Sequence, residues 1–524
     1  MSAQPFLSAP PRVRLVNAFA DPYDNAVATA RTCYASDIVG VEDVRKNEKA
    51  RAQRDEIARS TYLAGHHTIL QHAHFQFTLE NVSRQLLWSF LHAHPFYNSE
   101  QVSQRYVEVG PDRVVVPSLG ARALALYRET VASQLECYED LATLLVDPVK
   151  AAYFAIFPAR RKEADKHASA IRKKAQEVAR YVLPIGTFAH LYHTVSGLTL
   201  HRYNRLCLAL DVPTETRLVV MAMIDAVNVH DPLFFSRIED PIPLEKTPEY
   251  GILGALTGAI PSPSARGFLS TFDAELQGRA SRLVDYKLHA EREMARSVRQ
   301  VLGVAADALD DRAAIELVLS PTRNPLLAET LTLTSLDKLS RALFHPHYTF
   351  QKKLSHSADS QDQRHRLAPA TRPVLAAHYA GGAPDVVTPS LLAQTPEALE
   401  RFHITVERVW QGIDHLLADG VPAEMALYLL PNAFPIRFEE SGDLAALHHK
   451  WTTRLCYTAQ EEIWRATCDE VCDVRAIHPA IAAHLAPPCG LRAEARAAPI
   501  CPEGVRFCGV RVWKLGLEEY RRVI

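Results

Sequence analysis

Serine, arginine and histidine residues set next to polar runs are the positions in this chain best suited to handling an anion. Ser103 and Arg105 come just after the polar run Asn98-Ser99-Glu100-Gln101, which follows a strongly apolar stretch at 82–92. A loop of that make-up suits an anion, because a guanidinium donates two parallel hydrogen bonds to one. His66 and His72 flank the entry to an alternating stretch and read either as site residues or as caps. Arg180, just ahead of Val182-Leu183-Pro184, reads as an anion ligand or as a helix C-terminal arginine meeting the dipole. Near the end of the chain, His484, Cys489, Cys501 and Cys508 offer one imidazole and three thiols. Zinc accepts that donor set, although the spacing is not that of a CxxC knuckle. Cys468 and Cys472 read as buried thiols. His345, His347 and His356, beside Lys352-Lys353, read as a solvated polar cluster.

The same landmarks occur twice, and neither copy is complete. Gly65 to His72, Val82-Ser83-Arg84 and Ser103-Gln104-Arg105-Tyr106 are echoed by Pro325 to Glu329, Leu339-Ser340-Arg341 and Asp362-Gln363-Arg364-His365. The offsets are 340 − 83 = 257 and 364 − 105 = 259, and Leu183-Pro184 recurs as Leu430-Pro431 at 430 − 183 = 247. Drifting offsets of this kind are left by duplication followed by small insertions and deletions.

The elements that must position these residues are partly legible. Strands are expected at 12–20 and His74–Leu79, and helices at 26–34, 48–65, 82–92, 120–147, 160–182 and 216–229. The polar run 98–101 is expected as loop. Residues 239–279, with five prolines, read as a linker or ordered connector. The second unit is expected to open with a helix at 280–302 and to continue with a strand at Thr330–Leu336 and a helix carrying Ser340-Arg341. Further helices are expected at 396–419 and 442–474, then a strand-like run at 505–513. The implied division is 1–238, a connector at 239–279, 280–486 and a cysteine-containing tail at 487–524.

Composition narrows the function. A chain of 524 residues with 48% hydrophobic and 23% charged residues is a normal globular protein too long for one core. A net charge of -2 gives no electrostatic case for nucleic acid as a partner. No apolar run approaches the ~20 residues of a membrane span, and the N-terminus does not read as a signal peptide. Nine scattered cysteines do not form a disulfide framework, and the cytoplasm is the expected location.

On these motifs the chain resembles the flavin-dependent thymidylate synthases. Val13 to Val16 and Ala30 to Tyr34 are similar to that family's opening strand and helix, and His66 to His72 to its His-x-Ser-x-Leu-Glu-His segment. Ser103 to Val107 resembles the end of its signature, Arg-His-Arg-x7-Ser-x-Arg-Tyr, and Arg180 to Pro184 the segment that supplies a nucleotide-binding arginine. Arg454-Leu455-Cys456 is the best match in the second copy. The resemblance implies an α+β fold of two tandem units, each a small sheet packed with long helices. It also implies reductive methylation of a uracil nucleotide, dUMP to dTMP, with methylenetetrahydrofolate, FAD and NADPH. Ser103 and Arg105 would be catalytic, and Glu100, Ser103, Arg105, Arg180 and Arg454 would hold the substrate. His66, Thr68, His92 and His94 would face flavin. Two chains would imitate the family's tetramer. The Arg-His-Arg triplet is expected to be lost from both copies, read as His92-Ala93-His94 and Lys352-Lys353-Leu354. That loss favours an alternative: a diverged homologue that binds a nucleotide or flavin without the chemistry, or a flavin enzyme with a changed substrate. The surviving arginines are complementary, which suggests one composite site built from both units.

Overall fold

Alternating apolar residues build two four-stranded antiparallel sheets of one plan. The structure, a computed structural model, describes residues 4–209, 211–236, 243–257, 260–262, 264–329 and 337–524. In the first sheet β1 (Arg12–Ala18), β2 (His74–Ser83), β3 (Tyr97–Gln101) and β4 (Phe188–Ser196) take the order β1-β2-β4-β3. In the second, β5 (Ser281–Tyr286), β6 (His347–Ser355), β7 (Ala370–Thr371) and β8 (Pro435–Asp443) take the order β5-β6-β8-β7. Period-two burial explains the central strands: Phe75, Phe77 and Leu79 on β2, and Tyr348, Phe350 and Leu354 on β6, point into the core. The chain is α+β, two tandem copies of one unit.

The strand ends fix the correspondence between copies. Ser83 closes β2, and its hydroxyl accepts from the Leu86 N–H at 2.9 Å. Ser355 closes β6, and its hydroxyl accepts from the Ala358 N–H at 3.0 Å. Each serine caps the helix that follows.

A pseudo-twofold axis passes between Pro184 and Pro431, which form a β-bridge. The Ile185 N–H donates to the Leu430 carbonyl at 2.8 Å, and the Asn432 N–H donates to the Leu183 carbonyl at 2.8 Å. Two long helices, Ala121–Leu144 and Pro396–Ala418, pack together beside this axis. One apolar core runs from Phe75 through Leu183 to Trp410 and Phe434. A second core, with Tyr348, Phe350 and Trp451, takes in Val512 and Tyr520 of the tail.

Several expectations are corrected. Residues 280–302 are not one helix: β5 comes first, and the helix is Ala290–Leu302. The stretch 82–92 is the end of β2, a short helix at Arg84–Leu86 and a π-turn at Leu87–Leu91. The supposed loop at 98–101 is the edge strand β3. The helix 442–474 is two, Leu444–Arg454 and Glu461–Ile477, broken at a loop through Cys456. Ser340-Arg341 lies in a 3₁₀ helix, Leu339–Phe344, and 505–513 forms 3₁₀ turns rather than a strand. The strand expected at Thr330–Leu336 lies outside the described residues. The connector holds helices at Pro248–Thr257 and Ala265–Leu276. From the latter, Asp273 pairs with Lys353 and Arg437 of the second sheet.

Candidate active site between the two units

Both units contribute to one large cavity of about 1220 Å³. From the first unit come Arg84, Glu100, Ser103, Arg105 and Arg180; from the second come Arg364, His365, Arg366, His449 and Arg454, and the tail adds Arg506. Edge strand β3 carries the chain out of the sheet and into the loop holding Ser103, whose hydroxyl accepts from the Arg105 N–H at 3.2 Å. The Arg105 guanidinium donates to Glu177 at 2.5 Å and to the Thr458 carbonyl of the other unit at 3.0 Å. Arg180, at the end of the helix Ala164–Ala179, donates to Gln460 of the other unit at 2.7 Å. Arg454 ends the helix Leu444–Arg454 and donates to the Gln361 carbonyl at 2.7 Å. Arg364 crosses the seam to Glu100 at 3.1 Å, and Arg366 lies over the Tyr97 ring at 4.9 Å.

Positive charge exceeds negative in this lining. Burial, then the neighbouring Arg180 charge, pushes Arg84 down to about 9. Burial likewise pushes Arg454 down to about 10, against the pull of Asp362. Burial, then Arg454 and Lys450, holds His365 well below its ordinary value, so it is neutral at pH 7. Glu177 behaves oppositely: burial would raise it, but Lys174 and Arg105 outweigh that and hold it at about 2. The Nε atoms of Arg84, Arg180 and Arg454 are buried without a hydrogen-bond partner in the protein. The several arginines of this lining fit a phosphorylated ligand, whose oxygens accept from a planar guanidinium fork.

The strand ends also relocate the signature triplet. From Ser83 to His92 is 92 − 83 = 9 residues, and from Ser355 to Arg364 is 364 − 355 = 9. The Arg-His-Arg triplet is therefore present once, as Arg364-His365-Arg366, and the expectation of loss from both copies is corrected. Lys352 and Lys353 lie inside β6, and Ser340-Arg341 is not the counterpart of Ser83-Arg84. Nor is Arg364 the counterpart of Arg105. Glu100 pairs with Tyr192 and Thr371 with Glu439, and 439 − 192 = 247 is also the offset between the two Leu-Pro pairs. Glu100 thus corresponds to Thr371, an offset of 371 − 100 = 271, which sets Ser103 against Val374 and Arg105 against Ala376. The offset of 247 sets Arg180 against Leu427 and Arg454 against Cys207. At the reciprocal positions Val374, Ala376, Leu427 and Cys207 thus stand where Ser103, Arg105, Arg180 and Arg454 stand in the cavity.

A sequence profile described as thymidylate synthase complementing protein matches residues 14–233 and again 282–480. The chain belongs to the thymidylate synthase complementing protein family. Among similar proteins, the flavin-dependent thymidylate synthase of Clostridium tetani is 25% identical over 227 residues, covering 43% of this chain and 85% of the relative. That of Geobacter sulfurreducens is 29% identical over 195 residues, covering 36% of this chain and 80% of the relative. Among solved structures, the UMP/dUMP methylase PolB from Streptomyces cacaoi bound with 5-Br dUMP aligns with 18% identity and a TM-score of 0.31. That alignment covers 44% of this chain and 94% of PolB.

Of the residues singled out by family motifs, Glu100, Ser103, Arg105, Arg180 and Arg454 all line the cavity. His92 and His94 do not. His92 stacks on Tyr97 at 4.8 Å, and burial keeps it well below its ordinary value. His94 lies against Arg202 and Tyr203, and burial, then Arg202, pushes it down to about 4. Neither is a cation at pH 7, so they do not stand in for the arginines of the triplet. His66 lines a small separate pocket with Tyr23 and Tyr62, and Thr68 sits in the adjoining 3₁₀ helix His67–His72. The zinc expectation is not met. His484 lies near Glu494 and Glu316 and does not line the cavity that Cys489, Cys501 and Cys508 share, and among the described residues no group of three or more His, Cys, Asp or Glu is placed to hold a single metal ion. The polar cluster read as solvated is partly interior: His356 and Lys352 are each 1% exposed, and Lys352 pairs with Asp362, Glu440 and Glu470. Sequence reading missed Arg84 and Arg366 as site residues and took Arg364 for the counterpart of Arg105, and the signal that finds the triplet is the nine-residue distance from a capping serine.

Proposed function

We propose that the chain is a flavin-dependent methylase of a uracil nucleotide, with one composite site formed by both units. The observation that carries this reading is that the two parts of the family signature, divided between the copies, line one cavity. Arg364-His365-Arg366 comes from the second unit and Ser103-Gln104-Arg105-Tyr106 from the first. FAD, when bound, supplies the hydride that completes the one-carbon transfer from methylenetetrahydrofolate, and NADPH reduces it.

The protein's own work is binding and charge. Arg105, Arg180 and Arg454 hold the nucleotide phosphate and pyrimidine carbonyls, where negative charge develops on the ring. Ser103 sets the backbone at Arg105 and presents its hydroxyl to the substrate. Glu177, Thr458 and Gln460 aim the arginines, and burial of these groups makes each charge-assisted hydrogen bond count for more than in water. Arg364 and Arg366 face the flavin side. The alternative of a non-catalytic binder rested on loss of both triplets, and Arg364-His365-Arg366 removes that support. Two chains together would imitate the family's tetramer.

The test is to load the purified chain with FAD, desalt it and assay dTMP formation from dUMP, methylenetetrahydrofolate and NADPH, with UMP in parallel. Retained flavin and turnover on one of the two nucleotides is the expected result. Flavin retention without product from either would reject uracil methylation, and no retained flavin would reject the flavin assignment as well.

A further inference from the structure

The tail from Pro488 onward has few means of holding itself in place. It consists of the helix Pro488–Glu494 and three 3₁₀ turns, at Gly504–Arg506, Val512–Lys514 and Leu517–Glu519. Its buried apolar residues are few, chiefly Leu491, Val512 and Tyr520. Small segments of this kind need a staple as well as a core.

Three cysteines from separate points of the tail, Cys489, Cys501 and Cys508, converge with Cys456 on one cavity. Cys456 belongs to the loop between the helices Leu444–Arg454 and Glu461–Ile477. Tyr457, Phe507 and Val512 close the cavity. All four thiols are free of disulfides. Four thiols placed together in this way form a ligand set that a cationic centre would deprotonate.

The size of the centre follows from what does not fit. A lone zinc draws its four sulfurs to about 2.3 Å. The four thiols here line a shared cavity of about 20 Å³, a space that sulfurs drawn together around one ion would not leave. A cluster of several irons is wider than one ion and takes four cysteine thiolates.

We propose that Cys456, Cys489, Cys501 and Cys508 ligate a [4Fe–4S] cluster that clamps the tail onto the loop at 455–460. That loop carries Thr458 and Gln460, the acceptors for Arg105 and Arg180. Arg522 reinforces the same contact, donating to the Ala459 carbonyl at 2.8 Å and lying over the Trp464 ring at 5.2 Å. The cluster thereby positions two arginines of the large cavity without lining it.

The full chain, purified without oxygen and also reconstituted with ferrous iron and sulfide, should hold about four iron and four acid-labile sulfide per chain. After flavin extraction it should retain a broad visible absorption that dithionite bleaches. Cys489→Ser combined with Cys508→Ser should abolish bound iron, whereas Cys472→Ser, at an exposed thiol outside the group, should leave it unchanged. Stoichiometric zinc in place of iron, disulfides among the four residues, or no sulfide-bound iron in the wild-type chain after reconstitution would each overturn the assignment. The wild-type measurements decide the matter even if the double variant does not fold.

Discussion

Arg105 and Arg454 come from different units yet line one cavity, and this makes their substitutions comparable. Arg454→Ala should weaken nucleotide binding about as much as Arg105→Ala does. Each loses hydrogen bonds to a charged group worth roughly 1.5–3 kcal/mol, or about 10- to 100-fold in Kd. Calorimetric titration with dUMP and UMP checks this, and unchanged binding in Arg454→Ala would sink the composite site. Glu177 supplies a pH signature. Its carboxyl is held at about 2, below the ordinary glutamate value of about 4.3. A carboxyl lowered on folding stabilises the protein fully above its ordinary value, and that contribution is lost as pH falls from about 4.3 toward 2. Urea midpoints measured across this window should fall less steeply for Glu177→Gln than for the wild type. At this scale the sequence was informative where a motif was intact, as at Ser103 and Arg105. It misled at Ser340-Arg341, where a two-residue match outweighed the strand-end serine that carries the true register.

Between elements, each unit locks the other through a buried carboxylate. Tyr428 of the second unit donates to Glu215 at 2.6 Å, and Ser83 donates to the same Glu215 oxygen at 2.6 Å. Across the axis Tyr181 of the first unit donates to Glu462, to which Ser355 also donates at 2.7 Å. Tyr428→Phe and Tyr181→Phe should therefore each lower stability by about 1–2 kcal/mol, and by similar amounts, in chemical unfolding. A large difference between them would mean that the two locks are not equivalent. Of the central strands only β2 was legible, because it alternates Phe75, Phe77 and Leu79, while β4, β6 and β8 were not expected. The edge strands β3 and β5 were not, because most of their residues are exposed or half-buried and carry no apolar period. The swapped tyrosines had no sequence signal at all, since their partners lie more than 200 residues away.

For the molecule as a whole, duplication was legible although only the Leu-Pro landmark kept its counterpart, Ser83 matching Ser355 rather than Ser340 and Arg105 matching Ala376 rather than Arg364, while the placement of one unit against the other was visible only in three dimensions. If Val374, Ala376, Leu427 and Cys207 occupy the reciprocal position, that position has no guanidinium fork to offer. Titration should saturate at one nucleotide per chain, and two per chain would mean that the reciprocal position still binds.

The bridge between Pro184 and Pro431 joins two copies that are covalently one chain, and this changes what a mutation can do. In an assembly of identical subunits a substitution is written into every site at once, so an arginine lost from one site is lost from all. Here the copies vary independently. Leu427 could replace an arginine in one half while Arg180 stayed in the other, and His92 could drift while Arg364 was kept. With the composite site proposed above, fusion would let this molecule concentrate its chemistry on one side of its axis and release the other side for packing.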